Sequence, residues 1–131
     1  MRHQGIGLVD GKAAGPVAAS LAPVSVARID PADGRLREPG HALDGRVLAG
    51  AVLVCPTGKG SSSGSYILLN LAQRGLAPAA IVVSQADAVL VAGAVMAEIP
   101  LISGLSEEAL RTLAAAGRAE VDGTAGAVTA P

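Results

Sequence analysis

Residues 46–55 read Arg-Val-Leu-Ala-Gly-Ala-Val-Leu-Val-Cys and stop at Pro56. Apolar and polar residues do not alternate here, so a strand with one wet face does not fit. A strand buried on both faces does. Such a strand belongs to a parallel sheet covered by helices, and that requirement organises the rest of the chain. A Gly/Ser loop follows at residues 57–65. Then comes a helical pattern, Tyr66, Ile67, Leu69, Asn70, Leu71 and Arg74, with Gly75 as its stop.

The alternation continues toward the C-terminus. A short strand is expected over residues 80–84, then a helix from about 88 to 97 with Asp87 as its N-cap. Another strand is expected at 100–103. Ser106 caps a last helix of roughly 107–116, with Glu107 and Glu108 in its first turn and Gly117 at its end. Residues 118–121 read as a closing strand, and the tail after Gly123 is expected to fray. The first third lacks helical periodicity. Residues 6–9 read as a strand ended by the Asp10-Gly11 turn. Residues 17–29, interrupted by Pro16 and Pro23, read as one or two short strands. Residues 30–34, Asp-Pro-Ala-Asp-Gly, form a tight turn, and residues 35–45 read as a polar connecting loop over the surface. The expected fold class is α/β: a single domain over residues 1–131, with a mostly parallel sheet and an added N-terminal β layer.

Composition removes several functions. Ten basic and eleven acidic residues leave no basic stripe, and one Tyr with no Phe or Trp gives no stacking platform, so nucleic-acid binding is not expected. The single Cys55 excludes an intrachain disulfide and a self-contained zinc or iron–sulfur site. Apolar runs stop far short of the roughly 20 residues that span a bilayer. Asp10 and Lys12 interrupt any signal core, so no membrane and a cytoplasmic location are expected.

The chemistry concentrates in residues 58–65, Gly-Lys-Gly-Ser-Ser-Ser-Gly-Ser. Glycines let backbone approach a ligand, the first helical N–H groups point outward, and Lys59 adds a full positive charge. The pattern reads as an anion cradle for a carboxylate or phosphate. A Walker A loop fails on spacing, because Gly60 follows Gly58-Lys59. Residues 60–64 match a nucleophile elbow with Ser62 at its centre, but no His follows His41 to complete a triad. A non-catalytic anion-binding domain remains the other reading of this loop. Elsewhere, Cys55 reads as core, His41 as a solvated loop side chain, His3 as a terminal residue without a role, Tyr66 as core or interface, and Arg46 as undecided.

Three separated blocks, residues 56–65, residues 75–82 and residues 94–101, resemble the small, swivel subunit of aconitase X in order and spacing. Ile29-Asp30-Pro31 with Gly34 fits that family's Asp-Pro turn, whereas Val26-Ala27-Arg28 replaces an aromatic-glycine stretch. The resemblance covers residues 5–125 and implies a swivelling β/β/α domain. It further implies a hydro-lyase subunit, active only in a heterodimer with a large subunit that holds an iron–sulfur cluster. The serine base of the aconitase G-S-S-R motif falls on Ser61, after Gly60, and Ser63 stands where the motif has Arg. Lys59, Gly60, Ser62, Ser63 and Gly64 are then the expected substrate-binding residues. Bacterial members dehydrate cis-3-hydroxy-L-proline and archaeal relatives 5-phosphomevalonate. The Ala/Gly-rich, aromatic-poor composition favours the first, with the second as the alternative.

That chemistry fits the loop. Taking a proton from carbon beside a carboxylate builds enolate charge, and a serine is a useful base only where amides, a helix N-terminus and cations stabilise its alkoxide. The leaving hydroxide calls for a Lewis acid, which this chain has no ligand set to hold, so the cluster is expected in the partner.

Overall fold

The computed structural model describes residues 1–59 and 63–131. Among the described residues, eight strands form one sheet: β1 (Arg2–Gln4), β2 (Ile6–Val9), β3 (Lys12–Ala19), β4 (Val52–Cys55), β5 (Ala80–Val83), β6 (Leu101–Ser103), β7 (Arg118–Asp122) and β8 (Ala127–Thr129). Their spatial order is β1-β8-β7-β3-β4-β5-β6-β2. The central β3, β4, β5 and β6 run parallel, and the flanking pairs are antiparallel. The fold is α/β, as the alternation of elements predicts.

The doubly buried strand is confirmed residue by residue. Leu53 and Cys55 of β4 enter one core with Ile81 and Val83 of β5, while Val52 and Val54 enter the opposite core with Ala80 and Val82. Helices α1 (Gly64–Gln73) and α2 (Ala88–Ala97) cover the first face. Helix α3 (Glu107–Ala115) covers the second through Ala109, Leu110 and Leu113. The expected caps are made: Asp87 Oδ1 accepts from Leu90 N at 3.2 Å, and Ser106 Oγ from Ala109 N at 3.1 Å. Helix α1 ends at Gly75, whose φ of 73° is open only to glycine at low cost. None of the described helices is long and apolar enough to cross a membrane.

The first third departs from its expectation in instructive ways. It contributes β structure without α-helix, but residues 17–29 do not form strands of their own. Strand β3 runs through Pro16, with residues 12–16 paired to β7 and residues 17–19 to β4. Pro16 is tolerated because the β4 ladder begins only at Val17. Beyond it the chain forms a 3₁₀ turn, Val26–Arg28, and isolated bridges Val24 to Gly58, Ile29 to Leu36 and Arg35 to Val47. The polar loop at 35–45 is pinned from below, since Leu36 and Leu43 are buried in the first core. The apolar run at 46–55 is a strand only from Val52, because Gly50 turns the backbone at φ 72°.

The tail does not fray. Strand β8 lies between β7 and β1, with Val121 opposite Val128 and His3 opposite Val128 on the other side. The Met1 ammonium donates to Ala130 O at 2.6 Å, so the two termini close one edge of the sheet together. Small residues such as Ala127 carry little local signal, and the pairing that orders them spans nearly the whole chain.

Candidate active site

Three loops meet at the carboxyl ends of the parallel strands, where ligands of open α/β sheets bind. Residue 24, on the loop after β3, holds the loop after β4 from both sides: Val24 N donates to Thr57 O at 3.2 Å, and Lys59 N donates to Val24 O at 3.1 Å. The loop after β5 adds two bonds, from Ser84 N and Gln85 N to Pro56 O, each 3.0 Å. The Gly/Ser segment therefore leaves the sheet from a fixed base.

Its re-entry into α1 is equally constrained. Ser63 O accepts from Ile67 N at 3.1 Å. A side chain on Gly64 would lie 3.0 Å from Val89 Cγ1 and 3.3 Å from Val26 Cγ2. A side chain on Gly58 would lie 2.9 Å from Asp87 Oδ1. The glycines at both ends are thus required by close packing as well as by any ligand, and Asp87 both caps α2 and walls the loop. Gly60, Ser61 and Ser62 fall outside the described residues. Lys59 and Gly64 line one small cleft with Gly58, Val26 and Asp87 at this end of the sheet, and Ser63 directly precedes Gly64.

Lys59 is not a free surface charge. Its Nζ lies 2.8 Å from Glu38 Oε2, with the lysine side chain 51% exposed and the glutamate 14%. The hydrogen bond from Lys59 holds the Glu38 carboxyl below its ordinary value of 4.5, against burial, which pushes it up. The charges of Lys59, His41 and Arg28 act in the same sense as that bond. Glu38 Oε1 is buried and has no hydrogen-bond partner. Sequence reasoning missed Glu38, which sits in the stretch read as a connecting loop. The available signal was the pair Leu36 and Leu43, two buried anchors in an otherwise polar run.

The remaining residues sort by their contacts. His41 is a structural tie: Nδ1 accepts from Leu43 N at 3.0 Å, and Nε2 faces Pro23 O at 3.0 Å. Arg46 Nη2 donates to Val17 O at 2.7 Å, which bolts the arm at residues 20–51 to β3. Tyr66, on the first turn of α1, is 70% exposed, so it is not core. Cys55 is core, and burial pushes its thiol up to about 12. The buried thiol's contribution to stability is complete below its ordinary value of 9.0 and is lost as the pH rises through about 12. At pH 8 the native thiol is expected to resist alkylation by iodoacetamide, reacting only after denaturant unfolds the chain; mass spectrometry reads the adduct.

No group of three or more His, Cys, Asp or Glu that could hold a metal ion occurs among the described residues. With Cys55 sealed in the core, these residues do not fit an iron–sulfur cluster.

Known proteins agree with this architecture over the whole chain. The aconitase X swivel domain family model matches residues 2–130. A phosphomevalonate dehydratase small subunit from Methanocella arvoryzae is 36% identical over 98% of both chains. Another, from Methanothermobacter thermautotrophicus, is 40% identical over 90% of this chain and 91% of its own. The crystal structure of Thermococcus kodakaraensis aconitase X in its holo-form superimposes with a TM-score of 0.92 at 33% identity, covering 100% of this chain and 98% of that one. The preference for cis-3-hydroxy-L-proline drawn from composition finds no support in these relatives, whose names carry the alternative substrate. A family match across residues 2–130, together with relatives similar over nearly their full length, places this chain in the aconitase X swivel-domain family.

Proposed function

We propose that this chain is the small subunit of a two-subunit dehydratase that removes water from 5-phosphomevalonate, with residues 1–131 acting as one swivel unit. The observation that carries the reading is end-to-end similarity to relatives named phosphomevalonate dehydratase small subunits, at 36% identity over 98% of both chains. The cytoplasm is the expected location, and the iron–sulfur cluster is assigned to the large subunit.

In this reading Ser61 takes the proton from the carbon beside the substrate carboxylate. Its alkoxide is supported by the amides of the loop, by the positive end of α1 and by the Lys59 ammonium. Gly60 and Gly64 allow backbone to approach the substrate, and Ser62 and Ser63 supply hydroxyls for its polar groups. Packing at Gly58 and Gly64 sets the two ends of the loop. Tyr66, in the first turn of α1, and Leu21, in the segment after β3, are both exposed and are assigned to the contact with the large subunit.

The test is reconstitution. Alone, the chain is expected to have no dehydratase activity. Co-expressed with its large subunit, it is expected to co-elute as a complex that consumes 5-phosphomevalonate. If no complex forms and the isolated chain instead binds phosphate or carboxylate ligands in a calorimeter, the anion-binding reading replaces this one.

A further inference from the structure

Glu38 belongs to the site, although it lies 21 residues before Lys59 and in the stretch that reads as a connector. Its backbone is fixed independently of Lys59. Glu38 N donates to Asp44 Oδ1 at 2.9 Å, Glu38 O accepts from His41 N at 3.0 Å, and Leu36 and Leu43 anchor the turn in the core. The carboxylate is therefore delivered to the lysine by a rigid turn.

Two features separate this pair from an ordinary surface ion pair. First, the contact is short and lopsided: the glutamate side chain is mostly buried, whereas the lysine side chain is half exposed. Exposed pairs fluctuate and hold nothing in place. A mostly buried anchor on a fixed turn sets where its partner's charge sits. Second, Glu38 Oε1 is sequestered without a donor, a cost that a stability-driven pair would avoid by leaving the oxygen in water. The sequence also lacks the arginine that the resembling G-S-S-R motif carries, with Ser63 in its place. The nearest described cation on the loop is Lys59.

We propose that Glu38 is a positioning residue of the dehydratase site, holding the Lys59 ammonium at the carboxyl ends of the parallel strands so that the cation acts on charge developing during proton removal. This rests on the dehydratase reading above. No proton passes through Glu38. Its carboxylate stays charged and orients the lysine.

The experiment uses the reconstituted two-subunit complex and the hydroxy acid it dehydrates. Glu38→Gln and Lys59→Met are each expected to lower kcat about 10–100-fold with KM little changed. The double variant should be no worse than the more damaged single one, because both changes remove the same positioned charge. Lys59→Arg, which keeps a cation within reach of Glu38, should recover most of the loss. Thermal melting and co-elution with the large subunit are measured on every variant. A Glu38→Gln complex that melts earlier yet turns over at the wild-type rate overturns the proposal, as do independent, multiplicative losses in the double variant. A wild-type complex active only on cis-3-hydroxy-L-proline overturns the substrate assignment and leaves the Glu38 comparison intact. A wild-type complex inactive on both acids removes the dehydratase reading and this proposal with it, before any variant is made.

Discussion

Ser61→Ala in the assembled complex is expected to lower kcat by a factor of about 10²–10⁴, the usual contribution of a positioned general base. Assembly and melting temperature should stay at wild-type values. The loop is held before Ser61 by the bonds between Val24 and Thr57 and between Lys59 and Val24. It is held after it by the packing of Gly64 against Val89 and Val26. Steady-state kinetics of the purified complex supply the check, with Ser62→Ala in parallel. Loss at Ser62 and tolerance at Ser61 would move the base by one residue; near-full activity in both would remove a serine base from the mechanism.

The opposite signature is expected from Leu68→Ala. Leu68 is fully buried where α1 crosses α2, and it is the side chain that fills the space above Gly93, where an added Cβ would come within 2.8 Å of Leu68 Cδ1. The two helices approach too closely there for neighbouring side chains to swing in and close the void. The variant should lose about 2–5 kcal/mol of stability, covering the lost transfer term and the cavity. Denaturant melts of the isolated chain measure it. A loss below about 1 kcal/mol would mean that α2 collapses onto α1, against the packing described. The intact complex of this variant, assayed well below its melting temperature, should retain turnover far better than Ser61→Ala.

Much of the architecture could be read from local pattern. Helix α2 was expected at 88–97 and runs over Ala88–Ala97, because Asp87 announces its start and the flanking strands bound it. The β4 run gave the sheet its parallel centre, although only Val52–Cys55 is strand. What local pattern could not reveal is set by contacts across long separations. The three residues of β8 are ordered by β1, more than a hundred positions away. The ion pair of Glu38 with Lys59 exists only because two buried leucines fold a polar loop back over the strand ends. Pro16 looked like a strand breaker and is accommodated by a change of neighbouring strand. In the site, the residue types of the Gly/Ser loop were legible. The reason for Gly58, the carboxylate of Asp87 lying against it, required the three-dimensional arrangement. Substrate was the least legible property, since composition reports on ancestry more than on what a pocket binds.

The most direct test of the central claim is a side-by-side dehydration assay of the purified two-subunit complex on 5-phosphomevalonate and cis-3-hydroxy-L-proline, with this chain alone and the large subunit alone as controls. The account predicts turnover of the phosphorylated acid by the complex only, with neither subunit active by itself. Turnover of the hydroxyproline in its place, or undiminished activity of the large subunit without this chain, would contradict it.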